Sequence, residues 1–69
     1  MEYKIGSVIT YQPFGGGLRR VRVTEKSEDI KNGRAGFDGG LVVTVNGHDH
    51  VTSDRVWGYD SQILSVEKF

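Results

Sequence analysis

The chain has 69 residues, no cysteine, and nine basic side chains balanced by nine acidic ones. This length allows one small domain, 1–69, and the lack of cysteine excludes a disulfide framework or a thiolate zinc site. Zero net charge argues against a protein whose main task is to coat nucleic acid. No apolar run approaches the ~20 residues of a membrane span, and the polar start lacks a signal peptide. We therefore expect a cytoplasmic protein without a membrane segment.

The apolar residues favour an all-β fold. Valine and isoleucine far outnumber leucine, alanine occurs once, and there are ten glycines. β-Branched side chains are favoured in strands, and glycines allow tight turns. The first strand is predicted for residues 4–12, with Ile5, Ile9 and Tyr11 on one face. The segment PFGGG, residues 13–17, ends it because proline cannot extend a central ladder.

The second strand is predicted for residues 18–25, where valines alternate with polar side chains. A long irregular segment, residues 26–40, follows it. Within this segment, residues 27–33 fit one helical turn that an Asn-Gly pair ends in the left-handed conformation. Ile30 and Phe37 are expected to anchor the segment to the rest of the domain.

Three more strands are predicted in the second half. Residues 41–46 begin with a continuous apolar run, which is typical of a strand covered on both faces or central in its sheet. An Asn-Gly turn leads to a strand at residues 51–57. Residues 58–62 predict a short 3₁₀ turn that Asp60 would cap, and the last strand covers residues 63–66.

This order of elements predicts an all-β, five-stranded SH3-like barrel with two long loops and a 3₁₀ turn before the last strand. That turn is the most specific part of the pattern. An OB-like barrel is the alternative, but it usually needs a longer chain and a helix between its third and fourth strands.

The sequence VWGYDSQI at residues 56–63, with DIKNGRAGFDG at residues 29–39, resembles small β-barrel proteins of actinobacteria and of their phages. In those proteins a second acid often stands at the position of Ser61, and proline at that of Ala35. The resemblance extends beyond these two segments to about half of the chain. It implies a bacterial or phage origin and a compact β domain, but it carries no activity and assigns no functional residue.

Basic side chains form the first candidate site. Arg20 and Arg22 share one face of the second strand, Arg19 lies at its loop end, and Arg34 or Arg55 would complete an anion-binding patch. The alternative is a solvated outer strand face, where arginines oppose edge-to-edge pairing.

Aromatic side chains form the second candidate site. The chain has three Tyr, three Phe and one Trp, which is more than a thin core can bury, and Phe69 is one of them. Tyr11, Phe14, Trp57 and Tyr59 occupy the positions that line the peptide groove of SH3-like barrels. Aromatic side chains can also stack on nucleic-acid bases. The alternative is that Trp57 belongs to the core with Phe37, while the tyrosines are half-exposed.

The remaining motifs indicate no chemistry. His48 and His50 project to one side of a strand, but two imidazoles with Asp49 are only part of a metal site, so we expect a polar hairpin tip. The glycines at residues 15–17 precede a strand, whereas phosphate loops precede a helix. With no nucleophile motif and no room for an enclosed pocket, we expect neither an enzyme nor a cofactor or metal.

Three functions remain open from the sequence. The first is a protein- or peptide-binding module that uses the four aromatic residues, with a host protein as partner if the chain is a phage accessory protein. The second is nucleic-acid binding through Arg19, Arg20, Arg22 and Arg34, with steep salt dependence. The third is a structural role through strand pairing with itself or another chain. The sequence identifies neither the partner nor the oligomeric state.

Overall fold

A computed structural model describes residues 2–67 of the chain. Its strands and its 3₁₀ helix are β1 (Val8–Tyr11), β2 (Arg19–Lys31), β3 (Arg34–Val45), β4 (His48–Tyr59), the 3₁₀ helix (Asp60–Gln62) and β5 (Ile63–Val66). The strands form one antiparallel sheet in the order β4-β3-β2-β1-β5. The predicted all-β class is therefore confirmed. Within residues 2–67 no ladder joins the edge strands β4 and β5, so backbone pairing leaves the sheet open.

The start of the chain forms a turn in front of β1. The Ser7 amide donates to the Lys4 carbonyl at 2.9 Å, and the strand begins only after this turn. Ile5 lies in the turn and is 64% exposed. The prediction that the strand begins at residue 4 and places Ile5 on one face with Ile9 and Tyr11 is therefore wrong, and of the three only Ile9 and Tyr11 are buried.

The predicted irregular segment 26–40 is instead part of the long β2–β3 hairpin. Asn32 and Gly33 have φ angles of 57° and 71°, both in the left-handed region that a two-residue type I′ turn requires. They close a hairpin and do not end a helical turn at residues 27–33. A helix there would have had only Ile30 to bury, whereas the ladder satisfies the backbone groups. The second predicted long loop therefore does not exist.

The β3–β4 hairpin follows the sequence prediction more closely. Asn46 and Gly47 have φ angles of 52° and 81° and form the expected turn. β3 lies between β2 and β4, and Val43 remains partly exposed. The apolar run at residues 41–43 therefore marks a strand inside the sheet, not one covered on both faces. β4 is longer than the predicted 51–57, because pairing with β3 continues at both ends.

The core is built around the ring of Phe37, which is fully buried in β3. The rings of Tyr3 and Tyr11 meet it edge-on, at centroid distances of 6.1 and 5.1 Å. Gly58 allows β4 to approach this cluster, since a Cβ atom there would lie 2.8 Å from Phe37 and 3.1 Å from Tyr11. Phe37 therefore lies at the centre of the core, where it anchors its segment as expected. Ile30 is half-buried and packs against Gly36.

The end of the described chain matches the predicted bounds. The 3₁₀ helix falls within residues 58–62, and β5 begins directly after it. Asp60 does not cap this helix, because Tyr59 occupies the N-cap position and its amide donates to Gln62 Oε1 at 2.8 Å. The Asp60 carboxylate accepts a hydrogen bond from the Tyr3 hydroxyl at 2.5 Å. No helix in residues 2–67 has the length and apolar character to cross a bilayer.

Candidate functional site

The loop between β1 and β2 is fixed at its base to the 3₁₀ helix. The Gln12 amide donates to the Gln62 carbonyl at 3.0 Å, and the Gln62 side-chain amide donates to the Gln12 carbonyl at 2.8 Å. Further along, the Gly16 amide contacts the Pro13 carbonyl at 3.4 Å and closes a turn. Phe14 lies within this turn, so its position is set relative to the 3₁₀ helix.

The four aromatic residues predicted to line a groove divide into two buried and two exposed side chains. Tyr11 and Tyr59 are only 2% and 5% exposed, whereas Phe14 and Trp57 are 78% and 43% exposed. The ring centroids of Phe14 and Trp57 lie 6.3 and 5.4 Å from that of Tyr59. The structure thus brings three of the four rings into one cluster. The alternative predictions, a core Trp57 and half-exposed tyrosines, are wrong.

A groove of about 320 Å³ lies between the β1–β2 loop and β4. Its floor and walls combine aromatic, aliphatic and guanidinium groups, which belong to Tyr11, Pro13, Phe14, Arg19, Arg55, Val56, Trp57 and Gln62. A neighbouring depression of about 640 Å³ shares Arg19, Arg55 and Val56 with it. A second depression, of about 480 Å³, shares Pro13, Phe14 and Gln62. The three concave regions therefore adjoin along one surface of the domain.

Two cations lie on the aromatic cluster. The Arg34 guanidinium is 4.2 Å from the centroid of the Tyr59 ring, and it donates to Ser61 Oγ at 3.1 Å. Lys31 Nζ is 4.8 Å from the centroid of the Trp57 ring. These are cation–π contacts, in which the ring face attracts the positive charge. Lys31 was missed in the sequence because residues 26–40 were interpreted as irregular. The Asn-Gly pair at residues 32–33, interpreted as a hairpin turn, would have indicated it.

Arg20 binds two carboxylates, those of Asp49 and Glu67. It donates two hydrogen bonds of 2.8 Å to Asp49, and bonds of 2.8 and 2.9 Å to Glu67. The hydrogen bond from Arg20, supported by one from Thr44, holds the pKa of the Asp49 carboxyl well below its ordinary range. Arg20 thus ties the β3–β4 hairpin to the chain after β5.

The predicted basic residues do not form one patch. Arg20 and Arg22 share a face of β2, as expected from its alternation, and Arg19 falls on the opposite face. Arg34 lies at the far end of the β2–β3 hairpin, on the aromatic cluster. Arg55 pairs with Asp38 at 2.7 Å. Only Arg19 and Arg55 line the groove.

The two histidines lie in the exposed β3–β4 hairpin. His48 and His50 alternate with Asp49, whose carboxylate is bound by Arg20. Within residues 2–67 no three His, Asp or Glu side chains are placed to hold a metal ion.

These features define a class: a small antiparallel all-β domain with an exposed aromatic groove bordered by cations. No protein-family model matches the chain, and neither the curated proteins nor the solved structures contain one with significant similarity to it.

Proposed function

We propose that this protein is a binding module that holds a short peptide segment of another protein in the groove between Phe14 and Trp57. The observation that carries the proposal is the contrast in exposure. Phe14 and Trp57 are 78% and 43% exposed, whereas Tyr11, which lines the same groove, and Tyr59, whose ring lies beside both, are buried. These two large exposed rings provide apolar area that a bound segment would remove from water. The loop that carries Phe14 is held at its base by the hydrogen bonds between Gln12 and Gln62.

The groove is suited to binding more than to catalysis. It is shallow and open, and the part of the chain that the structure describes, residues 2–67, contributes no His, Ser, Asp or Glu to its lining as nucleophile or base. Aromatic and arginine side chains, which dominate the binding energy of protein interfaces, make up five of its eight lining residues: Tyr11, Phe14, Arg19, Arg55 and Trp57. The proposal is therefore a non-enzymatic module that needs neither cofactor nor metal.

The same proposal includes the finer fold class, an SH3-like barrel. The strand order β4-β3-β2-β1-β5, with a 3₁₀ helix between the two edge strands, supports it. One core cluster also includes Ile9 of β1, Phe37 of β3 and Ile63 of β5, with Val56 of β4 packed against it. The sheet therefore curves around a shared interior. A solution structure would test this through nuclear Overhauser contacts from the Phe37 ring to Tyr3, Tyr11 and Gly58.

The biological setting is also part of the proposal. The resemblance of residues 56–63 and 29–39 supports a bacterial or phage origin, and we propose that the protein acts in the cytoplasm. For a phage accessory protein, the partner would be a host protein.

Selection from a random-peptide display library tests the function. The wild-type chain is the bait, and selected peptides are synthesised and titrated against wild type and against the variants Phe14→Ala and Trp57→Phe. Phe14→Ala is the better probe of the two, because Phe14 is more exposed than Trp57 and its truncation should disturb the fold less. Loss of a central contact typically costs about 1–2 kcal/mol, so we expect affinity to fall about tenfold in Phe14→Ala.

Ile5→Ala is the matched control, because Ile5 is a large exposed apolar side chain that lines none of the three concave regions. Circular dichroism verifies that each variant is folded. Peptides that bind wild type and Ile5→Ala equally, and Phe14→Ala weakly, support the proposal. Failure to select any peptide, or binding that is unchanged in both groove variants, contradicts it.

A further inference from the structure

We infer that the bound peptide is acidic, with a carboxylate side chain next to the apolar side chain that enters the groove. This inference rests on the proposed function and adds the chemical class of the ligand. It follows from the distribution of charge around the groove, which differs from that of the chain as a whole.

Among residues 2–67, the side chains that line the groove carry positive charge alone. The eight lining residues from this range include Arg19 and Arg55 and no carboxylate. The chain as a whole has equal numbers of acidic and basic side chains. This local excess is therefore not a consequence of composition. Several acids are occupied elsewhere: Asp49 and Glu67 bind Arg20, and Asp60 binds Tyr3.

Arg19 is the cation best placed to receive a ligand carboxylate. Within residues 2–67 its guanidinium forms no ion pair and no side-chain hydrogen bond, and the residue is exposed. It borders both the aromatic groove and the larger neighbouring depression. A planar guanidinium in this position can bind a carboxylate through two parallel hydrogen bonds. Arg55 is less available, because Asp38 already accepts one of its donors.

Two further cations, on the aromatic cluster, add to the positive charge around the groove. Lys31 lies over Trp57 and Arg34 over Tyr59, and neither side chain pairs with a carboxylate in the described part of the chain. A cation–π contact does not neutralise the positive charge of Lys31 or Arg34. The aromatic surface is thus bordered by four cations: Arg19, Lys31, Arg34 and Arg55.

This arrangement selects against basic peptides as well as for acidic ones. A lysine or arginine near the groove would meet like charges, whereas an acidic residue would be attracted during approach and after docking. The apolar centre remains necessary, because an exposed ion pair alone strengthens binding by at most about fivefold. The expected ligand therefore combines one apolar side chain, placed between Phe14 and Trp57, with an acid directed towards Arg19.

Peptides selected on the wild-type chain provide the test, since their sequences and their charge dependence can be measured separately. We expect Asp and Glu to be enriched beside an apolar position. Replacing the acid of a selected peptide by its amide should weaken binding about twofold to fivefold on wild type, as expected for one exposed ion pair, and much less on Arg19→Gln. Arg22→Gln is the matched control, because Arg22 lies on the opposite face of the same strand. Affinity should also fall as salt rises.

The outcomes separate the two proposals. Peptides that require Phe14 but show no acidic preference and no effect of Arg19→Gln overturn the inference and leave the proposed function standing. Failure to obtain peptides that require Phe14 overturns both. A fluorescent single-stranded oligonucleotide is titrated in parallel as a second polyanion. If it binds more tightly than the acidic peptides and competes with them, the ligand class inferred here is wrong.

Discussion

The carbonyl oxygen of Gln12 accepts a hydrogen bond from the Gln62 side chain at 2.8 Å, while the Gln12 amide donates to the Gln62 carbonyl at 3.0 Å. This double link joins the end of β1 to the 3₁₀ helix. It places the turn that carries Phe14 beside Tyr59. One wall of the groove therefore depends on a contact between residues that are 50 positions apart in the chain.

Replacement of Gln62 by Ala should loosen this wall. The variant loses the bond to the Gln12 carbonyl and the bond from the Tyr59 amide to Gln62 Oε1. Each bond of this kind contributes about 0.5–1.5 kcal/mol, so we expect the free energy of unfolding to fall by about 1–2 kcal/mol. Chemical denaturation monitored by the fluorescence of Trp57, the only tryptophan, measures it. Ser65→Ala, at an exposed position of β5, is the control. Equal stability of the two variants would contradict the prediction.

The sequence was enough to predict where the chain turns, but not which elements each turn connects. Asn32 and Gly33 were correctly expected to be left-handed, and the structure places them there. The same conformation ends helices and closes hairpins, so the pair alone does not choose between them. The choice depends on whether the two flanking segments pair with each other, as Lys31 does with Arg34 and Lys26 with Phe37. Without that pairing, the segment 26–40 was interpreted as irregular.

The sequence predicted which aromatic residues belong to the candidate site, but not which of them are exposed. Phe14 and Trp57 remain exposed while Tyr11 and Tyr59 are buried, and nothing in their spacing distinguishes them. Burial is decided by what packs on each ring, and the contacts on Tyr59 come from residues such as Arg34 that are distant in sequence. Arg19 and Arg55 were predicted for a basic patch but not beside the aromatic residues, because they come from different strands, β2 and β4.

Gly39 is required by the close approach of β2 and β3. A Cβ atom at this position would lie 2.1 Å from the Arg22 carbonyl oxygen and 2.7 Å from a methyl group of Val21. Because one of these atoms belongs to the backbone, the sheet itself would have to shift. Overpacking of this kind typically costs about 1–3 kcal/mol, so Gly39→Ala should lower the free energy of unfolding by that amount. Gly17→Ala is the control.

Gly17 has a similar change in volume but open space around its Cβ position, and it does not require a positive φ. Its substitution should leave the stability unchanged or slightly raised, because alanine restricts the unfolded chain. Thermal unfolding followed by circular dichroism compares the two variants. A Gly39→Ala protein as stable as Gly17→Ala would contradict the packing described for β2 and β3.

The contact between Arg20 and Asp49 predicts a dependence of stability on acid pH. Arg20 lowers the pKa of the Asp49 carboxyl below its ordinary value. A lowered pKa gives a contribution that is present above the unfolded pKa of about 4 and is lost as the pH falls below it. In Arg20→Gln this loss should be smaller, so the decline of the free energy of unfolding below about pH 4 should be shallower.

Urea denaturation across this pH range measures the difference, with Arg22→Gln as the control. Arg22 lies on the same face of β2 as Arg20 but forms no ion pair within residues 2–67. Since the pair is exposed, high salt should reduce the difference between wild type and Arg20→Gln. Parallel pH profiles for wild type and Arg20→Gln would show that the contact does not affect folding.

The hydroxyl of Tyr3 predicts a second dependence, at alkaline pH. Burial raises the pKa of Tyr3 well above its ordinary value, and the hydrogen bond to the Asp60 carboxylate raises it further. A raised pKa gives a contribution that is complete below the unfolded pKa of about 10 and is lost as the pH rises above it. The wild-type protein should therefore lose stability above about pH 10, as ionisation of Tyr3 becomes coupled to unfolding.

Tyr3→Phe separates this effect from other alkaline effects, because it keeps the ring against Phe37 and removes the ionisable group. We expect a lower free energy of unfolding at neutral pH, by about 1–2 kcal/mol for the lost hydrogen bond, and a shallower decline above about pH 10. Asp60→Asn is the control that retains the phenol and its burial, so its alkaline decline should persist. Tyrosinate absorbance and circular dichroism, recorded together, show whether ionisation and unfolding coincide. A Tyr3→Phe variant with the alkaline decline of the wild type would contradict the assignment, because its cause would then lie in another group.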